Sequence, residues 1–144
     1  MYSLDDNWVF AVSVLAHRVA RRVAGVLADT SALNLSQWRV LAAVADRPGL
    51  SASEVVALTP MDKGLVSRAV KHLVEAGLIE RRASDTDARR AHLHLSDKGR
   101  AEHARILKAL RAAQATGERL PGAPDLNEAL RAMTAAYDEK DWRT

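Results

Sequence analysis

Residues 62–96 read DKGLVSRAVKHLVEAGLIERRASDTDARRAHLHLS, and this stretch decides the fold of the chain. Its first part has the apolar spacing of a helix that ends near Ala76. Gly77 follows, and glycine is the residue that most easily ends a helix in a left-handed conformation. Residues 78–82 and 91–95 have the composition of two strands, and the loop between them is rich in arginine. A helix followed by a basic hairpin predicts a winged helix-turn-helix, which suits two adjacent grooves of DNA.

The helix of this stretch has two different faces. At about 100° per residue, one side carries the apolar residues Val66, Ala69, Val70 and Leu73. The opposite side carries Lys63, Gly64, Ser67, Arg68 and Lys71. Arg68 can donate two hydrogen bonds to a guanine edge, and Ser67 can bond to a base edge or a phosphate. Lys63 and Lys71 suit phosphates, and Gly64 leaves room for a close backbone approach. An ordinary amphipathic surface helix is the alternative interpretation.

The loop between the strands carries a second set of candidate DNA contacts. Arg89 and Arg90 stand at the tip of the predicted hairpin, where an arginine can enter a narrow minor groove. Asp87 would be unusual beside DNA, and we expect it to pair with Arg89 and fix its direction. A solvated hairpin loop is the alternative.

Serine, threonine and aspartate mark the expected starts of the other helices. The predicted N-caps are Ser36, Ser53, Ser96, and either Thr59, with Pro60 in the first helical position, or Asp62. The corresponding helices end near residues 45, 58, 116 and 76. Two further helices are predicted over residues 6–28 and from Asp125 onwards.

Amphipathic helices near both ends of the chain predict a dimer. The apolar stripe of the first helix is Trp8, Val12, Leu15, Val19, Val23 and Val26, and that of the last is Leu126, Leu130, Met133 and Tyr137. Neither helix can form a core alone, and a second copy of the chain is the simplest partner. We therefore predict a mainly α fold with a small β-wing. Residues 35–96 form its winged helix-turn-helix DNA-binding domain, and residues 1–34 and 97–144 its helical dimerisation region. A two-fold dimer would place two reading helices about 34 Å apart on a palindromic site.

The charge of the chain is concentrated in the predicted DNA-reading part. Residues 61–111 contain 12 Lys/Arg and 7 Asp/Glu, whereas the remainder contains 9 and 11. This distribution favours a polyanionic partner. An architectural DNA-binding protein without a specific operator and a winged helix that binds proteins are the two alternatives.

Several other classes of protein are not expected. The chain has no cysteine, which excludes disulfides and thiolate metal sites. His92 and His94 share a strand face but have no third ligand near them in the sequence, so we predict no metal site. No enzyme signature is present, and we expect neither catalysis nor a cofactor. The uncharged run over residues 7–16 is too short for a bilayer, so we expect no membrane association and a cytoplasmic location.

The chain resembles the MarR family of transcriptional regulators over nearly its whole length. Residues 35–41 (LSQWRVL) resemble the family's second helix, and residues 61–70 (MDKGLVSRAV) resemble its recognition helix. Residues 87–96 (DARRAHLHLS) fit the wing signature D-x-R-x-x-x-L-x-L-T, with serine for the final threonine. The resemblance implies a homodimer that represses nearby genes, often until a small aromatic ligand binds. It also implies base contacts for Ser67 and Arg68.

The same resemblance implies an effector pocket where the dimerisation helices meet the DNA-reading unit. The candidate lining residues are Trp8, Val12, His17, Trp38 and Leu41. Core packing is the competing explanation, above all for the two tryptophans. A ligand that favours a half-site spacing unsuited to DNA would weaken DNA binding by its differential affinity for the two states. The absence of cysteine argues against the thiol- and peroxide-sensing branch of the family.

Overall fold

The computed structural model describes residues 3–4, 6–86, 90–115 and 123–138 of the chain. These residues form α1 (Trp8–Thr30), α2 (Leu35–Asp46), α3 (Ala52–Leu58), α4 (Lys63–Glu75), β1 (Ile79–Ala83), β2 (Ala91–Leu95), α5 (Asp97–Ala115) and α6 (Ala123–Asp138). The predicted class, mainly α with a small β-wing, is confirmed. The chain divides after Arg111 into two compact units, and α6 belongs to the second. The division into a DNA-binding and a dimerisation domain stays a prediction.

The core of the first unit surrounds the inner face of α4. Both α2 and α3 pack against α4, and β2 packs against α2 and α3. Each element of this unit adds buried residues to one cluster, from Leu27 on α1 to Ile106 on α5. Burial of one large aliphatic side chain contributes roughly 1.5–3 kcal/mol to the free energy of folding. Packing of this cluster against the buried face of α4 therefore fixes the position of the helix.

Helices α2 and α3 begin at different caps from those predicted. Asn34, rather than Ser36, accepts a hydrogen bond of 2.9 Å from the amide three residues on. Ser51, rather than Ser53, does the same at 3.3 Å. In both cases a Gln or Glu at that third position returns a bond to the cap amide, which completes a capping box. The predictions were wrong because Ser36 and Ser53 have Arg and Val at that position.

The start of α4 was left open between two caps, and Asp62 is the cap. Its carboxylate accepts a hydrogen bond of 2.8 Å from the amide of Leu65. Thr59 instead ends α3, where its hydroxyl donates to the carbonyl of Val55 at 2.7 Å. Pro60 therefore precedes α4. The alternative in which Thr59 is the cap and Pro60 occupies the first helical position is wrong.

The wing contains one more paired segment than the sequence predicted. β1 and β2 are antiparallel, with Ile79 opposite Leu95. Leu50, in the turn between α2 and α3, forms a bridge with Leu93 on β2. The amide of Gly49 donates to the carbonyl of Leu93 at 2.8 Å, and the amide of Leu93 donates to the carbonyl of Leu50 at 2.9 Å. The wing is thus anchored to the turn that precedes α3.

The predicted apolar stripes of α1 and α6 are largely exposed to solvent in the single chain. On α1, Trp8, Val12, Leu15 and Val19 are 42–52% exposed. On α6, Leu126, Leu130, Met133 and Tyr137 are 37–56% exposed. Rows of exposed apolar side chains along a helix are typical of surfaces that another protein covers.

Candidate nucleic-acid interface

The two faces of α4 are separated as the sequence predicted. Its buried residues are Val66, Ala69, Val70 and Leu73. Its exposed residues include Lys63, Gly64, Ser67, Arg68 and Lys71. The helix thus presents its whole predicted reading face to solvent, while the packed face fixes its direction.

The guanidinium group of Arg68 lies over Gly64. A Cβ added to Gly64 would lie 3.3 Å from an Arg68 guanidinium nitrogen and 3.3 Å from the Oδ1 atom of Asp62. The space left by the glycine is therefore occupied by Arg68, beside the carboxylate that caps α4. Lys71 lies further along the helix, 3.9 Å from Glu75 in an exposed ion pair that contributes little stability.

A Schellman motif fixes the other end of α4. Gly77 has a φ of 72°, and its amide donates to the carbonyl of Val74 at 3.0 Å. The amide of Leu78 donates to the carbonyl of Leu73 at 2.9 Å. The prediction that Gly77 ends the helix in a left-handed conformation is confirmed. Helix α4 therefore has a defined start and a defined end.

The tip of the wing is only partly described. Asp87 and Arg89, for which an ion pair was predicted, lie outside the described residues. Arg90 is exposed at the start of β2. Arg81 and Arg82 are exposed on β1 and were not assigned a role from the sequence, although they directly precede the basic loop. Arg82 lies 3.3 Å from Glu80, with both side chains more than half exposed.

The two wing histidines contact the turn between α2 and α3. The Nδ1 atom of His92 lies 2.6 Å from the carbonyl oxygen of Gly49, so a proton on Nδ1 makes a hydrogen bond. His94 also lies beside Gly49, in ordinary van der Waals contact with the position a Cβ would take there. Partial burial, followed by the nearby charge of Arg82, lowers the pKa of His94. Through these contacts with Gly49, both histidines pack β2 of the wing against the turn between α2 and α3. In the described ranges, no group of three or more His, Asp or Glu side chains is placed to hold a metal ion.

The five candidate ligand-lining residues fall into two groups. Trp8, Val12 and His17 lie exposed on α1, whereas Trp38 and Leu41 belong to the core. Trp38 stacks on His103 of α5, with ring centroids 5.4 Å apart and an interplanar angle of 16°.

Trp38 and Leu41 thus pack in the core, and an effector pocket that includes all five residues stays a prediction. Burial lowers the pKa of His103, which favours a neutral ring in the stack. No pattern in the sequence predicts this contact, since it joins two elements that are far apart in the chain.

None of the helices that the structure describes is both long enough and apolar enough to cross a membrane. The described elements define a winged helix-turn-helix chain in which α4 has one buried face and one exposed, partly basic face.

Comparison with known proteins finds a similarity to one family. Residues 33–90 match the model of the MarR family. The transcriptional regulator TtmR of Methylorubrum extorquens is 33% identical over 98 residues, which are 68% of this chain and 50% of TtmR. The chain spans about half the length of the first curated relatives it matches. Over these residues the chain is similar to MarR-family regulators.

Solved structures share the fold at lower sequence identity. A MarR-family regulator from Rhodococcus sp. RHA1 superposes with a TM-score of 0.82 at 20% identity, over 92% of this chain and 96% of that one. The repressor CouR bound to a 23-mer DNA duplex gives a TM-score of 0.74 at 24% identity, over 96% and 99%. CouR from Rhodococcus jostii RHA1 bound to p-coumaroyl-CoA gives 0.78 at 21% identity, over 92% and 95%.

Proposed function

We propose that this chain is a transcriptional regulator that binds a palindromic DNA site as a homodimer and represses nearby genes. The observation that carries the proposal is the exposed face of α4, with Lys63, Gly64, Ser67, Arg68 and Lys71 on it, opposite a fully packed face. A helix that enters a major groove needs one face packed against its own domain and a polar face exposed toward the bases. The match of residues 33–90 to the MarR family model and the fold shared with DNA-bound CouR support the proposal.

The side chains of this face have two kinds of role in the proposal, base reading and phosphate contact. Arg68 reads a guanine edge after leaving its place over Gly64, and Ser67 contacts a base edge or a phosphate. Lys63 and Lys71 neutralise phosphates. The wing arginines Arg89 and Arg90, with Asp87 orienting the first of them, probe the adjacent minor groove.

A second copy of the chain is the proposed cover of the exposed apolar stripes. The residues of the stripe on α1 repeat every three or four positions, as one helix packing on another requires. A two-fold dimer would hold two copies of α4 about one turn of DNA apart. Sedimentation analysis should show a dimer at micromolar concentration, and a monomer there would contradict this part of the proposal.

Selection of binding sites from random duplex DNA tests the proposed function. A specific regulator should enrich a palindrome and bind it at least about a thousandfold more tightly than random duplex at the same salt concentration. Binding without such a preference would instead show an architectural DNA-binding protein. Failure to bind any duplex in dilute buffer would leave the protein-interaction role as the better account, because phosphate contacts are strongest at low salt.

Arg68→Ala should weaken binding to the selected site by about 1–3 kcal/mol and remove discrimination at one base position per half-site. Lys71→Ala is the matched comparison on the same face. Its loss should be similar on specific and random DNA, and the salt slope should fall by roughly one. Competition assays with single-base variants of the site measure both effects. Equal losses on specific and random DNA for Arg68→Ala would contradict its reading role.

A small aromatic effector is a further part of the proposal. Its support is the ligand-bound structure of CouR, which shares this fold. Trp8, Val12 and His17 on α1, together with the buried Trp38 and Leu41, are its proposed surroundings in the dimer. Aromatic acids and p-coumaroyl-CoA should be titrated into the complex with the selected site. Relief of binding by roughly 5–150-fold would support an effector, and no change with any of them would contradict it while leaving the DNA role intact.

A further inference from the structure

The end of α4 and the start of α5 are joined by a dense set of hydrogen bonds, here named the α4–α5 joint. Its members are Ala76, Gly77, Leu78, Ser96, Lys98 and Gly99. The Nζ atom of Lys98 donates to the carbonyl of Ala76 at 2.9 Å. The hydroxyl of Ser96 donates to the carbonyl of Gly77 at 2.6 Å, and its amide donates to the carbonyl of Leu78 at 3.1 Å. Three successive carbonyls beyond α4 thus accept donors from the start of α5.

The hydroxyl of Ser96 serves both helices. While it donates to Gly77, it also accepts a hydrogen bond of 3.0 Å from the amide of Gly99. This is the predicted N-cap of α5, and one oxygen atom therefore joins the end of one helix to the beginning of the next. The ammonium group of Lys98 adds a positive charge where the dipole of α4 is negative.

The contact at Gly99 is close enough to exclude any side chain. A Cβ there would lie 2.0 Å from the carbonyl oxygen of Leu78. The first turn of α5 therefore lies directly against the backbone that follows α4. Because the contact is between two backbone segments, a change in the direction of α5 must be accompanied by movement of the end of α4.

We propose that Ser96, Lys98 and Gly99 are positioning residues for DNA recognition. They fix α4 to α5, so that the direction of α5 sets the spacing of the two reading helices in the dimer. This inference rests on the proposed function, since half-site spacing has meaning only for a dimer on a palindrome. None of the three needs to contact DNA for this role. Lys98 is exposed, however, and a phosphate contact is the rival explanation for it.

The test compares Lys98→Met with Lys108→Met in the full chain. Both substitutions remove one exposed positive charge from α5, but only the first breaks the joint. Binding is measured to the selected palindrome and to the same site lengthened by one base pair, which moves the half-sites apart by about 3.4 Å and rotates them by about 35°. Both sites are titrated over a range of salt concentrations. Hydrogen exchange at the amides of Ser96 and Gly99 is measured without DNA.

Lys98→Met should bind the native site roughly three- to tenfold more weakly, because a charge-assisted hydrogen bond is lost. Its preference for the native over the lengthened site should shrink, its salt slope should stay unchanged, and exchange at both amides should be faster. Lys108→Met should leave the spacing preference and the exchange rates as in the wild type. If Lys98→Met fails to fold, Ser96→Ala should show the same loss of preference, and Ser96→Thr, which keeps the hydroxyl, should restore it.

Two results would overturn the positioning role. One is equal weakening on both sites by Lys98→Met with a salt slope smaller by about 0.9, which would make Lys98 a phosphate contact. The other is an unchanged spacing preference in the variants of both Lys98 and Ser96. If the wild type bound no duplex at all, the proposed function itself would fail. The exchange rates would then still show whether Lys98 tightens the joint.

Discussion

Replacing Gly99 with alanine is expected to destabilise the fold by about 2–3 kcal/mol. The new Cβ would lie 2.0 Å from the carbonyl oxygen of Leu78 and 2.9 Å from its carbonyl carbon. Both obstacles are backbone atoms, which cannot rotate away as a flexible side chain would. Relief therefore requires α5 to shift by about 1 Å, and such overpacking costs roughly 1–3 kcal/mol.

Two smaller terms act on the same substitution. The shift weakens the hydrogen bond from the amide of Ser96 to the carbonyl of Leu78, which contributes about 1 kcal/mol. Alanine is a better helix former than glycine by at most about 1 kcal/mol, and this gain offsets part of the loss. The steric term decides the sign, so the net effect is destabilising.

Urea denaturation followed by far-UV circular dichroism measures this effect, at a fixed protein concentration because a dimer gains stability with concentration. Gly25→Ala is the matched control. Gly25 lies within α1, and a Cβ there would meet nothing within 4 Å. That substitution should stabilise the chain by about 0.5–1 kcal/mol, through helix propensity alone. If Gly99→Ala proved as stable as the wild type, the close approach of α5 to Leu78 would be refuted.

Glu102→Gln should lower the free energy of unfolding near pH 7 by about 1–2 kcal/mol, because Ser31 and Arg105 donate to its carboxylate at 2.6 and 2.7 Å. Burial raises the pKa of Glu102, but the hydrogen bonds from Ser31 and Arg105 outweigh burial and hold the pKa below its ordinary value of 4.5. The contribution is therefore present above about pH 4.5 and is lost as the pH falls through the lowered value. Urea unfolding near pH 7 and near pH 3 should show the difference from wild type closing, and a difference that stays constant would contradict this. Glu128→Gln, exposed on α6, is the control and should have little effect at either pH. Gly77→Ala should cost about 1–2 kcal/mol in the same assay, because φ is 72° and no atom within 4 Å obstructs a Cβ, so the loss is backbone strain. Asparagine at this position should recover part of the loss, and no recovery would point to a cause other than strain.

The capping errors show how much of the local structure the sequence contains. The predicted caps of α2 and α3 were each two residues late, yet the correct signal was present. Asn34 and Ser51 each have a Gln or Glu three residues on, whereas Ser36 and Ser53 do not. A capping box involves only four successive residues, so a stricter use of the same rule would have found both starts.

The two faces of α4, its left-handed end at Gly77 and the alternation of β2 follow from the sequence alone. The periodicity of helices and strands depends on residues that lie within a few positions of each other, and so does the conformation of a glycine at a helix end. The order of residues is therefore enough to predict these features. This local information was enough to predict which face of α4 is buried and which is exposed, and to predict the class of the fold.

Only the tertiary structure decided which distant residues meet. Ser31 pairs with Glu102 across 71 positions, and His92 reaches Gly49 across 43. Such contacts depend on how the helices and strands pack against each other. Many other polar residues lie at similar separations in the sequence and could form the same hydrogen bonds, so the order of residues does not select the pair. The need for glycine at position 99 is also decided by the tertiary structure. The carbonyl of Leu78, which follows α4 in the chain, leaves no room there for a side chain.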